Sequence, residues 1–274
     1  IRYVLFDQTH GTDSIAYYSI WVENLTEAGY VVETHTSDPI TPIVLEGYDV
    51  FVIPQAHSDY TPDELSAIEN FVLSGGGLLV IGDDSPWIYT SLTSFAGITW
   101  ASGGYGGYTS DITPHPVTEG VTVAYFGAAI SQLYISSPAE DIIRDEYGYT
   151  ILLAVSEVWS GRVICIADEQ TIDDWDIGYA NNLRLANNMI DWLVMRYEHD
   201  IAVSLVAPRF LKPGDSTLLE AAVLNRGVND ENDVELQLLI DNVIVDSVII
   251  PELPVDSSYT LSYLWTPTAE GTYE

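Results

Sequence analysis

Lysine is nearly absent from this sequence. Lys212 is the single one, and the basic residues together number 8 against 41 aspartates and glutamates, a formal net charge of −33. That imbalance excludes binding to nucleic acid or to an anionic membrane, because both need cationic patches that displace counterions. It leaves two uses for the acids: a hydrated surface that stays soluble in salt water, or attraction of divalent cations. Cysteine is as scarce. Cys165 stands alone, so no internal disulfide can form. Its place in the apolar run Arg162–Ala167 predicts a buried thiol without the cationic neighbours that activate one. No uncharged apolar stretch reaches the roughly 18 residues of a membrane-spanning helix, so no membrane insertion is expected within this segment.

What is present suffices for a large core. Hydrophobic residues make up 47% and aromatics 11% of 274 residues, with a mean hydropathy of +0.13. Such a composition excludes a disordered chain and leaves room for two domains. The chain opens at Ile1 and stops at Glu274 inside a strand-like pattern. That predicts a longer precursor with a leader or anchor outside this stretch, and a final strand starting near Gly271-Thr272-Tyr273.

The clearest local signal runs from Tyr48 to Ser85. Asp49–Pro54 is a short Val/Ile/Phe-rich run that suits a strand buried on both faces. Thr61 then reads as an N-cap, Pro62 as the first helical residue, and Glu64 as the partner completing a capping box. Leu65, Ile68, Phe71 and Val72 share one helical face, and Gly75-Gly76-Gly77 supplies the exit. Gly77–Gly82 is a second buried strand that stops at Asp83-Asp84. Two such strands joined by a helix predict a right-handed crossover, with a site beyond the carboxyl ends of the strands.

The same alternation holds on either side. Tyr3–Phe6 reads as a strand, and Asp13 or Ser14 caps a helix with Ile15, Tyr18, Val22 and Leu25 on its face. Tyr30–Thr34 is a strand, and Trp87–Phe95 a short helix behind the Ser85-Pro86 cap. Order thins from Ala96 to Pro138, with short strands near Val121–Phe126 and Leu133–Ile135. Thr150–Val155 and Arg162–Ala167 pair around Ser160-Gly161, and Asn181–Arg196 is an amphipathic helix. Residues 1–197 therefore predict a three-layer α/β domain with a mostly parallel sheet, flavodoxin-like or amidotransferase-like in type. From 198 to 274 nothing is helical. Five alternating strands, with Asp241-Asn242 as a hairpin loop, predict an all-β immunoglobulin-like sandwich.

Two family resemblances sit on these residues. VLFDQTHG at Val4–Gly11, YDVFVIP at Tyr48–Pro54 and FVLSGGGLLVIGDDS at Phe71–Ser85 resemble the class I glutamine amidotransferase-like fold. HPVTEGV at His115–Val121 and GRVICIADEQ…NNLRLANNMIDWL at Gly161–Leu193 continue the likeness. It is closest to a divergent branch of secreted or membrane-tethered prokaryotic proteins. AAVLNRGVNDENDVELQLLIDNVIVDS, Ala221–Ser247, resembles CARDB, an immunoglobulin-like module of cell-surface adhesion proteins. The first likeness implies a nucleophilic cysteine on the turn after Gly77–Gly82 and a downstream His-Glu pair. Here Asp84 stands at the cysteine's place, and Ala167-Asp168-Glu169 lacks the preceding histidine. A carboxylate cannot perform the thiol's acyl chemistry, so no glutaminase activity is expected.

The strand ends deliver Asp7, His10, Gln55, His57, Asp83, Asp84, Asp168 and Glu169 toward one edge. One reading is a polar-ligand pocket, or a divalent-cation site built from Asp84, Asp168, His10 and His57, since clustered carboxylates repel unless a cation or proton intervenes. Histidine ligands there would favour a transition metal. The other reading has the aspartates capping turns and the histidines packed as loop residues. Ser85 before Pro86 is a helix cap rather than a nucleophile, and Asp173-Asp174-Trp175-Asp176 is a fragment of a calcium loop without its glycine and glutamate. Trp87, Tyr89, Trp100, Tyr105 and Tyr108 form either a sugar-stacking surface or packing under a long loop. The expectation is a non-catalytic extracellular or cell-surface segment that binds a protein or glycan, with no cofactor unless a divalent cation. Its alternatives are a metal-dependent hydrolase using the His/Asp cluster and a subunit of a surface array self-associating through the sandwich.

Overall fold

The computed structural model describes residues 1–274 except 38, 84, 85, 128, 129, 196, 197, 209 and 274. The chain divides into two compact units, Ile1–Met195 and Arg196–Glu274. The first begins with β1 (Arg2–Asp7), α1 (Ser19–Glu27), β2 (Tyr30–His35), a single turn α2 (Pro42–Leu45), β3 (Val50–Pro54), α3 (Pro62–Leu73) and β4 (Gly77–Ile81). It continues through α4 (Pro86–Thr93), β5 (Ile98–Gly104), β6 (Gly107–Thr109), β7 (Ala124–Phe126), β8 (Ile130–Ile135), β9 (Glu140–Arg144), β10 (Ile151–Val158), β11 (Gly161–Ile166) and α5 (Asn182–Leu193).

Nine strands form the central sheet in the order β2-β1-β3-β4-β11-β10-β8-β5, with β9 beside β10. Its two faces bury separate cores. One face packs Val4, Phe6, Val52 and Ile81 under α1 and α5; the other packs Leu5, Phe51, Ile53 and Val80 under α2, α3 and α4. β3 and β4 are buried along their whole length, which is why their sequences are continuous apolar runs.

The expectation of a mostly parallel sheet needs correction. The pairings β2-β1, β1-β3, β3-β4 and β4-β11 are parallel. Those of β10 with β11, β8 and β9, and of β5 with β8, are antiparallel. Among the described residues, no helix long enough to cross the sheet lies between α4 and β11, so the chain folds back by hairpins instead. The result is a mixed α/β unit around a large central sheet.

Local chemistry explains the elements. Thr61 caps α3, and Thr61 and Glu64 make both bonds of the capping box. Gly75 ends that helix at φ 102°, a value an L side chain rarely adopts. Asp174, from the acidic loop before α5, accepts bonds from Ser19 Oγ and the Ile20 N–H and so caps α1 from a distance. Arg162 is buried in β11 and donates to the carbonyl oxygens of Trp192 and Met195, where the last turn of α5 leaves acceptors unpaired.

The second unit contains β12 (Ile201–Val206), β13 (Thr217–Asn225), β14 (Glu231–Ile240), β15 (Val243–Leu253) and β16 (Ser258–Trp265). A three-stranded sheet, β12-β13-β16, and a two-stranded one, β14-β15, close around Leu219, Ala221, Val223, Leu236, Leu238, Ile250 and Leu253. This is a small β-sandwich of immunoglobulin-like type. Asp241 and Asn242 join β14 to β15 with φ of 51° and 64°, the left-handed pair a two-residue hairpin requires. Asn225, fully buried, donates to the carbonyls of Asn229 and Leu253 and accepts from the Gly227 N–H. Gly271–Tyr273, where a further strand was expected to begin, carry no strand.

Candidate functional site

β1 lies between β2 and β3, so the direction of strand addition reverses between β1 and β3. The segments leaving the carboxyl ends of these strands diverge to opposite faces and open a crevice, the common place for a ligand in α/β sheets. A cleft of about 440 Å³ lies there, lined by Thr9, His10 and Gly11 after β1, Thr36 and Pro39 after β2, and Ser58, Asp59, Thr61 and Glu64 after β3.

The floor of this cleft is a closed hydrogen-bond network. Asp7 is fully buried, and its Oδ1 accepts from the Thr9 N–H at 2.8 Å and the Thr9 hydroxyl at 2.5 Å. Its Oδ2 accepts from the Tyr60 hydroxyl at 2.5 Å and faces His10 Nδ1 at 3.3 Å. The His10 ring stacks on Tyr60 at 3.8 Å, and its Nε2 lies 3.3 Å from Glu64 Oε1. Nδ1 also lies 2.6 Å from the Thr9 hydroxyl oxygen. Glu64 Oε1 also accepts from the Ile40 N–H, while Oε2 serves the N-cap at Thr61. Burial works to raise both carboxyls. For Asp7 the bonds from His10, Thr9 and Tyr60 outweigh it, and for Glu64 those from Thr61 and Ile40, with the His10 charge, do the same; both are held below their usual range.

A second group lies at the ends of β4 and β11. Asp83, Asp168 and Glu169 each place one carboxylate oxygen within 4.8 Å of the others. Gln55, at the end of β3, donates Nε2 to Asp83 Oδ2 at 3.1 Å. Asp168 is buried and accepts from the Gly127 N–H at 2.6 Å and the Thr171 hydroxyl at 2.8 Å. Here the balance goes the other way. Burial, then the charges of Asp83 and Asp168, push Glu169 up to about 8. Burial also raises Asp168, Asp176, and Asp173, the last to about 6.

The expected site residues thus fall into two groups. Asp7 and His10 belong to the cleft; Gln55, Asp83, Asp168 and Glu169 belong to the carboxylate group. His57 has an exposed side chain and touches the cleft through its N–H, which donates to the His10 carbonyl. Asp84 and Ser85, and with them the nucleophile position and the helix cap, lie outside the described residues. The structure does not gather His10, His57 and Asp168 around one point, and the donors it does gather are carboxylates only. Tyr105 is exposed, but Trp100 corrects the stacking expectation. It is 7% exposed, packs against Tyr89, and donates Nε1 to Thr93. Asp173 holds its own loop by accepting from the Trp175 and Asp176 N–H groups, and Asp174 caps the start of α1. Sequence reasoning missed Tyr60 and the second role of Glu64. A polar aromatic directly before a capping box at the sheet edge was the available signal.

Fold and site define a two-part protein: a mixed α/β unit with a polar sheet edge, then an immunoglobulin-like sandwich. Residues 198–274 match the CARDB family model, and the second unit is a CARDB domain. The first unit has the fold of the mmIFT52 N-terminal domain, at TM-score 0.60 and 14% identity over 70% of this chain and 97% of that one. A cytoplasmic protein from Salmonella typhimurium is similar at TM-score 0.52 and 18% identity, covering 70% of this chain and 99% of its own. A ThuA-like protein from Bacteroides uniformis follows at 0.51 and 16%, covering 70% and 91%. At these identities the likeness is one of fold alone. No curated protein matches the sequence.

Proposed function

We propose that this chain is a non-catalytic binding segment of an extracellular or cell-surface protein. The α/β unit, read as a divergent glutamine amidotransferase-like domain with Asp84 at the thiol position, recognises a glycan or polar partner surface. The CARDB domain acts as a spacer or adhesion unit. The observation that carries this reading is the cleft between β1 and β3. Hydroxyls of Thr9, Thr36, Ser58 and Thr61 and carboxylates of Asp59 and Glu64 line it, with no lysine or arginine among the lining residues. Such a lining suits ligands whose own hydroxyls donate and accept, and it repels anions. Support for a non-catalytic role comes from two groups. Cys165 is fully buried in β11 with its thiol pushed far up by burial, and both nitrogens of His10 already face carboxylates.

The test is a glycan panel read with the full chain and with Ser58→Ala and Asp59→Ala variants. Binding by the wild type that is lost in both variants supports the cleft. Binding that survives them and disappears in Tyr105→Ala moves recognition to the Gly103–Tyr108 loop. Release of ammonia from glutamine overturns the non-catalytic reading.

A second reading, self-association through the sandwich, has one observation in its favour. β12 carries no charged residue, and its Val203 and Leu205 are 64% and 57% exposed, a profile that invites strand addition. Sizing across a concentration series checks it, and a monomer throughout removes it.

A further inference from the structure

We propose that Asp83, Asp168 and Glu169 bind one hard divalent cation, of the magnesium, manganese or calcium kind, at the carboxyl ends of β4 and β11. Their nearest carboxylate oxygens lie within 4.8 Å of one another. Metal–oxygen distances of about 2.1–2.5 Å place ligand oxygens up to about 5 Å apart, so the spacing here is of the size that one shared ion imposes. The donors are oxygens only, which selects a hard cation over zinc or copper. This group shares no residue with the cleft between β1 and β3, so the inference stands apart from the proposed function.

Proximity of acids is not the argument, because this chain has 41 of them. Two further atoms point to a missing ligand. Glu169 Oε2 is shut off from solvent and meets no donor among the described residues. The hydroxyl of Tyr18, a fully buried residue, is likewise without a partner there, and the charges of Asp13, then Glu169 and Asp173, act on it. Buried polar atoms of this kind are rare and call for a ligand, ion or water. A cation answers both, the carboxylate directly and the hydroxyl through a water in its coordination shell. Elsewhere in the chain crowded acids have donors instead: Asp7 has Thr9 and Tyr60, Asp173 has two backbone N–H groups, and Asp174 has the start of α1. Two of the three ligands are also held in place, Asp83 by Gln55 and Asp168 by Gly127 and Thr171. That is the outer-shell support a metal site needs.

The experiment uses the full chain, stripped with chelator and dialysed into about 0.15 M KCl, where diffuse attraction to the acidic surface is screened. Manganese is titrated by electron paramagnetic resonance, and calcium and magnesium by calorimetry. One saturable site per chain is expected. Glu169→Gln should weaken it on the order of tenfold or more, while Glu252→Gln, an exposed acid of the sandwich, should leave it unchanged. Asp168→Asn is a poor probe because Asp168 also holds the Gly127 backbone. Asp83→Asn replaces Glu169→Gln if circular dichroism shows the latter misfolded. Absence of a saturable site in the wild type, or equal binding by the ligand variant, overturns the proposal.

Discussion

Two sets of acids sit along one edge of the same sheet, and they have been resolved in opposite ways. Asp7 and Glu64 are buried, yet each oxygen meets donors: a hydroxyl, a backbone N–H or the ring of His10. Their carboxyls stay ionised below the usual range. Asp168 accepts from Gly127 and Thr171, but Glu169 leaves one oxygen without a donor, and both face a further carboxylate, Asp83. Theirs are pushed upward. Burial raises all four and is the largest cause in each; what differs is the balance of donors and like charges set against it. The first set is a finished structure, and the second is a structure that a cation would finish.

The comparison breaks most sharply at Asp7. Replacing it with alanine leaves Tyr60, Thr9 and His10 facing a void with their donors unpaired. The cost should be about 3–5 kcal/mol, read as a shift of the denaturant midpoint of the α/β unit. A loss below about 1 kcal/mol would mean that the network is not what holds the β1 end. Glu64→Gln keeps the volume and one acceptor but removes the charge beside His10, and about 1–3 kcal/mol should go. These two acids also set an acid limb. Because their folded-state values lie below the usual 3.8 and 4.5, their contribution is complete above about pH 5. It fades as pH falls through the lowered values. The Asp7→Ala variant should show a flatter decline there.

Glu169→Gln carries the opposite sign. In chelator it replaces an acid whose ionised form burial, Asp83 and Asp168 all disfavour, and it should stabilise the unit by on the order of 1 kcal/mol, reduced by the residue's partial exposure. With calcium or manganese in excess the sign should reverse, because the wild type gains binding energy that the variant lacks. Destabilisation in chelator would place Glu169 with the satisfied acids and dissolve the contrast.

Much of the scaffold was legible because its elements carry their own punctuation. α3 was readable from Thr61, Pro62, Glu64 and the glycines after it, and the β14–β15 hairpin from Asp241-Asn242, whose left-handed backbone suits few other residue pairs. β5 and β9 were not. ITWASGG reads as a turn because of its glycines, and EDIIR is charged because β9 flanks the main sheet, paired with β10 and bridged to Ile112 on its other side. Nor did any strand announce whether its neighbour would run parallel, since pairing direction follows from the connection and not from the strand's residues. At the site, the strand-end rule found Asp7, His10, Asp83, Asp168 and Glu169 but could not divide them. Glu64 hid behind its cap: one oxygen completes the capping box, and the other was free to take Ile40 and His10. Trp100 misled because an aromatic beside glycines looks exposed. Gly82 in fact makes the room it occupies, since a Cβ there would lie 2.3 Å from its ring.

The finest form of the comparison needs only two hydroxyl groups. Tyr18 and Tyr60 are both buried at this edge, at 0% and 5% exposure. Tyr60 donates to Asp7 at 2.5 Å, whereas the Tyr18 hydroxyl has no partner among the described residues. Removing the first as Tyr60→Phe takes a donor from a buried carboxylate and should cost about 1.5–3 kcal/mol, the usual range for a bond to a charged group. Removing the second as Tyr18→Phe deletes an atom that makes no bond, so in chelator its effect should lie within about 0.5 kcal/mol of zero or be slightly stabilising. Thermal unfolding with and without added divalent cation reads all four values. If Tyr18→Phe becomes costly only when the cation is present, the hydroxyl's missing partner belongs to the ion's hydration shell. A cost that is equal in chelator would give Tyr18 a partner within the fold and place its end of the sheet edge on the finished side.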